Sequence, residues 1–97
     1  MFSSWQRRPR RPQTLRLRRG VRIGPREDGL AVISPRGTVL HLDHIAALML
    51  RTLLDGHGVT ATAARLAEQF HVPQQTVHTD VLGVIAELTR RKVVYWR

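Results

Sequence analysis

The chain has 97 residues, 42% of them hydrophobic, and no cysteine, which suits one domain with a modest core and argues against a disordered chain. The missing cysteines exclude disulfides, thiolate metal sites and cysteine nucleophiles, and no apolar run approaches the roughly 20 residues of a bilayer span. The net charge of +9 is unevenly spread: residues 1–26 carry nine arginines and no acid, whereas residues 27–97 carry seven basic and seven acidic side chains and are formally neutral.

Residues 1–13 set Pro9 and Pro12 among four arginines, a composition that cannot bury enough surface to offset ordering, and are expected to form a flexible basic arm. No apolar segment follows the arginines as a secretory signal would require, so a cytoplasmic location is expected. Residues 14–97 are expected to fold as one unit. From Thr14 the pattern alternates, with Leu15, Leu17, Val21 and Ile23 against Arg16, Arg18 and Arg22, predicting a half-buried strand that bends, or begins, near Gly20. Pro25 to Gly29 carries turn chemistry, Leu30 to Ile33 a second strand, Ser34 to Gly37 another turn and Thr38 to Leu42 a third strand.

Asp43 is placed to cap a first helix with Ile45, Leu48, Met49 and Leu53 at helical spacing, stopped by Gly56. Thr60 can cap a second helix whose inner face is Ala63, Leu66, Ala67 and Phe70. Pro73 suits the start of a third, at a position where the missing N–H costs nothing. The stripe Val77, Val81, Val84 and Leu88 predicts its core face, and three cations from Arg90 to Lys92 suit its negative end. The closing Val93-Val94-Tyr95-Trp96 is expected to pack back on the domain.

Three antiparallel strands followed by three helices define an α+β fold with the outline of a winged helix-turn-helix, an architecture used both to bind nucleic acid and to capture peptides. DNA readers usually offer Arg, Lys, Asn or Gln from the first turns of the third helix. Here Gln74 and Gln75 could read bases, but Asp80 and Glu87 would face phosphate and no cation comes before Arg90. Nucleic-acid binding is therefore the second reading, supported mainly by the basic arm.

The runs Thr38-Val-Leu-His-Leu-Asp43, Leu48-Met-Leu-Arg-Thr-Leu-Leu-Asp-Gly56, Ala64-Arg-Leu-Ala-Glu-Gln-Phe-His-Val72 and Asp80-Val-Leu-Gly-Val-Ile-Ala-Glu-Leu88 resemble, in order and spacing, the PqqD family. The resemblance spans Val21 to Val94. It implies a domain that binds the leader of a ribosomally made precursor peptide and presents it to a modifying enzyme or leader protease, with the stand-alone lasso-peptide type as the leading subfamily. The Arg-rich arm, and Arg91-Lys-Val-Val94 in place of a Gly-Leu-Leu type ending, depart from the family pattern and leave the subfamily open.

In the family the third strand receives the leader, so Thr38, Val39, Leu40, His41 and Leu42 would supply backbone hydrogen bonds, with pockets between that strand and the third helix reading side chains. Val77, Val81 and Val84 belong to the helical face beside it. Leu82 and Ile85 lie at one margin of the apolar arc, and could touch an apolar leader residue or pack against the first or second helix. Asp80, on the other margin, matches the family's aspartate; it could meet a cationic leader residue, or pair with Arg90 or Arg91. The strand-one arginines could steer an acidic leader.

No glycine-rich phosphate loop, paired carboxylates with a base, or nucleophile motif occurs, so no enzymatic activity is expected. His41, His44, His57, His71 and His78 fall in different elements, and neither a metal nor another cofactor is expected. An exposed receiving strand would permit self-pairing, leaving monomer or dimer open.

Overall fold

The computed structural model describes residues 13–97, so the expected basic arm lies outside the described residues except for Gln13. The elements follow in the order β1 (Leu15–Leu17), β2 (Arg22–Arg26), β3 (Gly29–Ile33), β4 (Val39–Asp43), α1 (His44–Leu54), α2 (Val59–Phe70), α3 (Gln74–Arg90) and β5 (Val94–Trp96). Strands β2, β3 and β4 form an antiparallel sheet with β3 in the centre, and three helices follow it, the α+β arrangement expected from the sequence.

The alternating run from Thr14 to Ile23 is two strands rather than one. The Val21 N–H donates to the Arg18 carbonyl at 3.1 Å, closing a turn in which Gly20 takes φ +87°, a conformation open to glycine at little cost. β1 thereby leaves the sheet and pairs with β5, Leu15 opposite Trp96 and Leu17 opposite Val94. Leu15, Val93 and Val94 are fully buried, so the C-terminal apolar segment does return to the domain, as a ribbon strand.

Pro25 lies inside β2 rather than in the turn, which is reduced to Glu27 and Asp28 between Arg26 and Gly29. A proline tolerates that place only if its missing N–H faces away from the ladder. The ladder meets this condition. The Ser34 N–H donates to the Thr38 carbonyl at 2.9 Å, in register with Val32↔Leu40 and Leu30↔Leu42, so by antiparallel alternation Val32 and Leu30 spend their backbone groups on β4. Gly29, Ala31 and Ile33 then face β2, and Pro25 opposite Leu30 falls at a non-hydrogen-bonded position.

The Asp43 carboxylate caps α1, accepting from the Ala46 N–H at 2.8 Å. α2 is preceded by Gly58 rather than capped by Thr60, and ends on His71 in a left-handed conformation. Pro73 occupies the cap of α3 and is not its first helical residue. α3 stops at Arg90: Arg91 is its cap and Lys92 already lies outside it with φ +60°. Leu50 and Leu53 of α1, Ala63 and Leu66 of α2, Val81 and Leu88 of α3 and Val32 of β3 meet in one buried core. The buried stripe of α3 is Val77, Val81, Ile85 and Leu88; Val84 is only half-buried. The core arc is thus rotated toward Ile85 from the sequence expectation, because α3 packs chiefly on α2 rather than square on the sheet.

Gly29 opens β3 at φ +151°, and a Cβ there would overlap the Leu42 carbonyl oxygen. Gly29→Ala is expected to destabilise the fold by about 2–4 kcal/mol, measured by urea denaturation, since backbone strain and a backbone clash coincide.

Candidate functional site

β4 is an edge strand with only β3 beside it. The same alternation that satisfies Pro25 commits Leu40 and Leu42 to β3 and turns the N–H and C=O groups of Val39 and His41 toward the open side. The opposite edge, β2, has Pro25 and two exposed arginines, features that discourage strand addition. Of the two edges, β4 is the one with an unobstructed row of donors and acceptors.

Beside that edge runs an open groove of about 460 Å³, walled by β4, the first turns of α1 and one face of α3. From β4 it draws Leu40, His41, Leu42 and the capping Asp43; from α1, Ile45, Ala46 and Met49; from α3, Thr79, Asp80, Gly83, Val84, Glu87 and Leu88. Ile45 is 42% exposed, a large apolar side chain left uncovered on the groove wall. Gly83 lies midway along the continuous α3, and nothing lies within 4 Å of where its Cβ would be. A mid-helix glycine costs roughly 0.5–1 kcal/mol against alanine. At this position the missing side chain leaves the groove wide and its helical backbone approachable.

Electrostatically the groove has an acidic α3 wall whose two carboxylates differ. The Arg91 Nε donates to Glu87 Oε2 at 2.7 Å, and the Arg90 guanidinium donates to Oε1. These hydrogen bonds, Arg90's first, hold the Glu87 carboxyl below the usual carboxylate range. Asp80 is exposed and has no ion-pair partner among the described residues. Its expected pairing with Arg90 or Arg91 does not form because Glu87 sits three and four residues from those arginines, on neighbouring turns. Asp80 is some three turns away.

Of the sequence-named residues, Leu40, His41, Leu42, Asp80 and Val84 line the groove. Thr38 and Val39 lie at its end and along the edge, Thr38 lining a neighbouring pocket. Val77, Val81 and Ile85 are buried in the core. Leu82 is 48% exposed and does not line the groove. The helix margin facing β4 is therefore that of Asp80 and Glu87, not that of Leu82 and Ile85. Sequence reasoning missed Ile45, Met49, Thr79, Gly83 and Glu87 as groove residues. Helical spacing sets Ile45 in the apolar stripe of α1 with Leu48, Met49 and Leu53, but it stands about 140° from the buried Leu50 on the helical wheel and is left exposed. Among the described residues no cluster of three potential metal ligands occurs, and no helix is long and apolar enough to cross a membrane.

A search of the curated proteins gives no match to the chain. Among solved structures, "Lasso peptide synthetase B1 complexed with the leader peptide" is similar at TM-score 0.78 and 24% identity, covering 84% of this chain and 96% of that one. TbiB1 in complex with the TbiA(beta) leader peptide is similar at 0.72 and 16%, covering 80% and 92%. At these identities the likeness is one of fold. The PqqD truncation of Methylobacterium extorquens PqqCD, described as a functional and stand-alone recognition element for ribosomally synthesized and post-translationally modified peptides, is similar at 0.72 and 26%, covering 84% and 87%. The family model for coenzyme PQQ synthesis protein D (PqqD) matches residues 26–94, well over half the chain, and takes in β3, β4 and all three helices but only the last residue of β2: the chain belongs to the PqqD family.

Proposed function

We propose that this protein binds the leader segment of a ribosomally made precursor peptide as an added strand along β4, and presents that peptide to a modifying enzyme or leader protease in natural-product biosynthesis of the lasso-peptide kind. The observation that carries the reading is the open β4 edge running beside a groove whose α3 wall is thinned at Gly83. Backbone groups of Val39 and His41 supply pairing that is indifferent to sequence, and the groove supplies selectivity. Leu40, Val84 and Ile45 offer an apolar seat for one leader side chain. Asp80, exposed on the wall, offers a partner to a cationic one. Membership of the PqqD family and the leader peptides bound to two structures of the same fold support it.

The protein is read as a binding module without catalytic activity, working in the cytoplasm. The Thr79 hydroxyl on the groove wall donates to the Gln75 carbonyl at 3.1 Å rather than to His41 or a carboxylate, and binding by strand addition requires neither a nucleophile nor a base.

Titration of a fluorescently labelled leader peptide, from the precursor encoded beside this protein, is expected to give micromolar or tighter binding; no binding to such a leader sinks the proposal. In hydrogen exchange, the Val39 and His41 amides are expected to exchange fast in the free protein and to become protected with leader bound. The Leu40 and Leu42 amides should be protected in both states. Gly83→Leu is expected to keep or slightly raise the melting temperature while weakening leader binding at least about tenfold, since its side chain enters open groove space and improves helix propensity. Unchanged affinity in a folded Gly83→Leu protein would remove α3 from the binding site.

A further inference from the structure

Beside the start of β4 lies a second pocket of about 640 Å³. Leu40 lines both this pocket and the groove. Its floor is apolar, from Val32, Leu40 and Val93, and its rim is cationic, with Arg18 before the sheet, Arg36 in the β3–β4 turn, and Arg90, Arg91 and Lys92 at the end of α3. Among the described residues no acidic side chain lines it. Three separate elements thus bring cations to one place, a convergence absent from their order in the chain.

These cations are not equally free. Arg90 and Arg91 are engaged by Glu87, on the boundary between groove and pocket. The Arg18 guanidinium lies over the Tyr95 ring, 5.8 Å from its centre. Arg36 and Lys92 have no ion-pair partner among the described residues.

Lys92 is also held at a conformational cost. The Lys92 N–H donates to the Thr89 carbonyl at 2.9 Å and the Val93 N–H to the Leu88 carbonyl at 3.1 Å, the pair of bonds that closes a helix through a left-handed residue normally filled by glycine. Lys92 takes that position at φ +60°. Glycine would fit it better by about 1 kcal/mol, so the cation is present where the backbone alone disfavours it.

We infer that this basic pocket is a second subsite of the leader groove and takes an Asp- or Glu-bearing stretch of the same peptide, beyond the segment paired with β4. The inference rests on the strand-addition reading above. An extended chain lying along Val39 and His41 runs off the Thr38 end of β4 directly over the pocket, within about two to four residues at roughly 3.3 Å each. Its apolar side can rest on the half-buried Leu40 while its carboxylates meet Arg36 and Lys92. With Asp80 facing a cation at the other end, the two subsites would also fix the direction in which the peptide lies.

The test uses the full chain, the labelled leader peptide, and the same peptide with its Asp and Glu residues in that stretch changed to Asn and Gln. Arg36→Ala/Lys92→Gly is expected to raise Kd for the native leader about fivefold to tenfold in low salt, and by much less at about 0.5 M NaCl. The neutralised peptide should lose the same factor on the unaltered protein and little more on the variant, the signature of a shared contact. Lys92→Gly alone should raise the melting temperature by a few degrees, so that weaker binding cannot be ascribed to unfolding. If the leader binds the unaltered protein but the double variant binds it equally well, or if the two losses simply add, the subsite is overturned while strand addition stands. A leader that binds but bears no acid beyond the paired segment overturns it too. If the double variant keeps leader affinity but loses binding to a duplex DNA oligonucleotide, the cations belong to a nucleic-acid site instead. A leader that does not bind the unaltered protein at all removes both readings.

Discussion

The pairing of β3 with β4 is the constraint on which the rest of the molecule depends. β3 has neighbours on both sides, so its backbone groups are divided between them by strict alternation, Leu30 and Val32 to β4 and Gly29, Ala31 and Ile33 to β2. That division makes Pro25 admissible on one edge and leaves Val39 and His41 unspent on the other. A shift of one residue would bring Leu40 and Leu42 outward and carry their side chains off the core. The buried Leu42, and Gly29 lying against the Leu42 carbonyl, oppose such a shift.

The helices turn this edge into a site. Asp43 ends β4 and caps α1 within one residue, so α1 starts at the groove and brings Ile45 to its wall. α3 is held by Val77, Val81, Ile85 and Leu88 in the core, and this packing turns Asp80, Gly83, Val84 and Glu87 toward β4. The gap between α3 and β4 is therefore not a packing fault. It is flanked on one side by unsatisfied backbone and on the other by a helix without a side chain at its middle, which together fit an extended peptide better than a compact small molecule. The β1–β5 ribbon, closed by Leu15 and Val94, holds the end of α3 and so positions the cations of the adjoining pocket.

Much of this could be read from the residues. Alternation and turn chemistry located the sheet strands to within about a residue at most ends, helical spacing located all three helices, and the ordered motifs pointed to the family. That β4 would be an edge was legible because it follows from a three-strand meander, whereas its preference over the other edge came only from the family resemblance. The groove face of α3 was not legible. Val84 and Ile85 are both apolar and adjacent, and the wheel alone cannot tell which one a neighbouring helix covers. The preference of α3 for α2 rotated the core arc toward Ile85 and exposed the Asp80 margin. The split of the first strand was foreshadowed by Gly20, but the partner that β1 takes lies some eighty residues away in the chain, at Trp96.

What the sequence by itself determined were the properties carried by local chemistry: the order of strands and helices, the cap at Asp43, the stop at Gly56, and a charge excess confined to residues 1–26 with a neutral remainder. Tertiary structure alone decided which charges and apolar groups share a surface. Arg18, Arg36 and Lys92 converge on one pocket, and Ile45 meets Asp80 and Gly83 across one groove. The reason is physical: a binding surface is assembled from the margins that core packing leaves uncovered. Those margins are set by how α3 rests against α2 and the sheet, a geometry that no local pattern encodes.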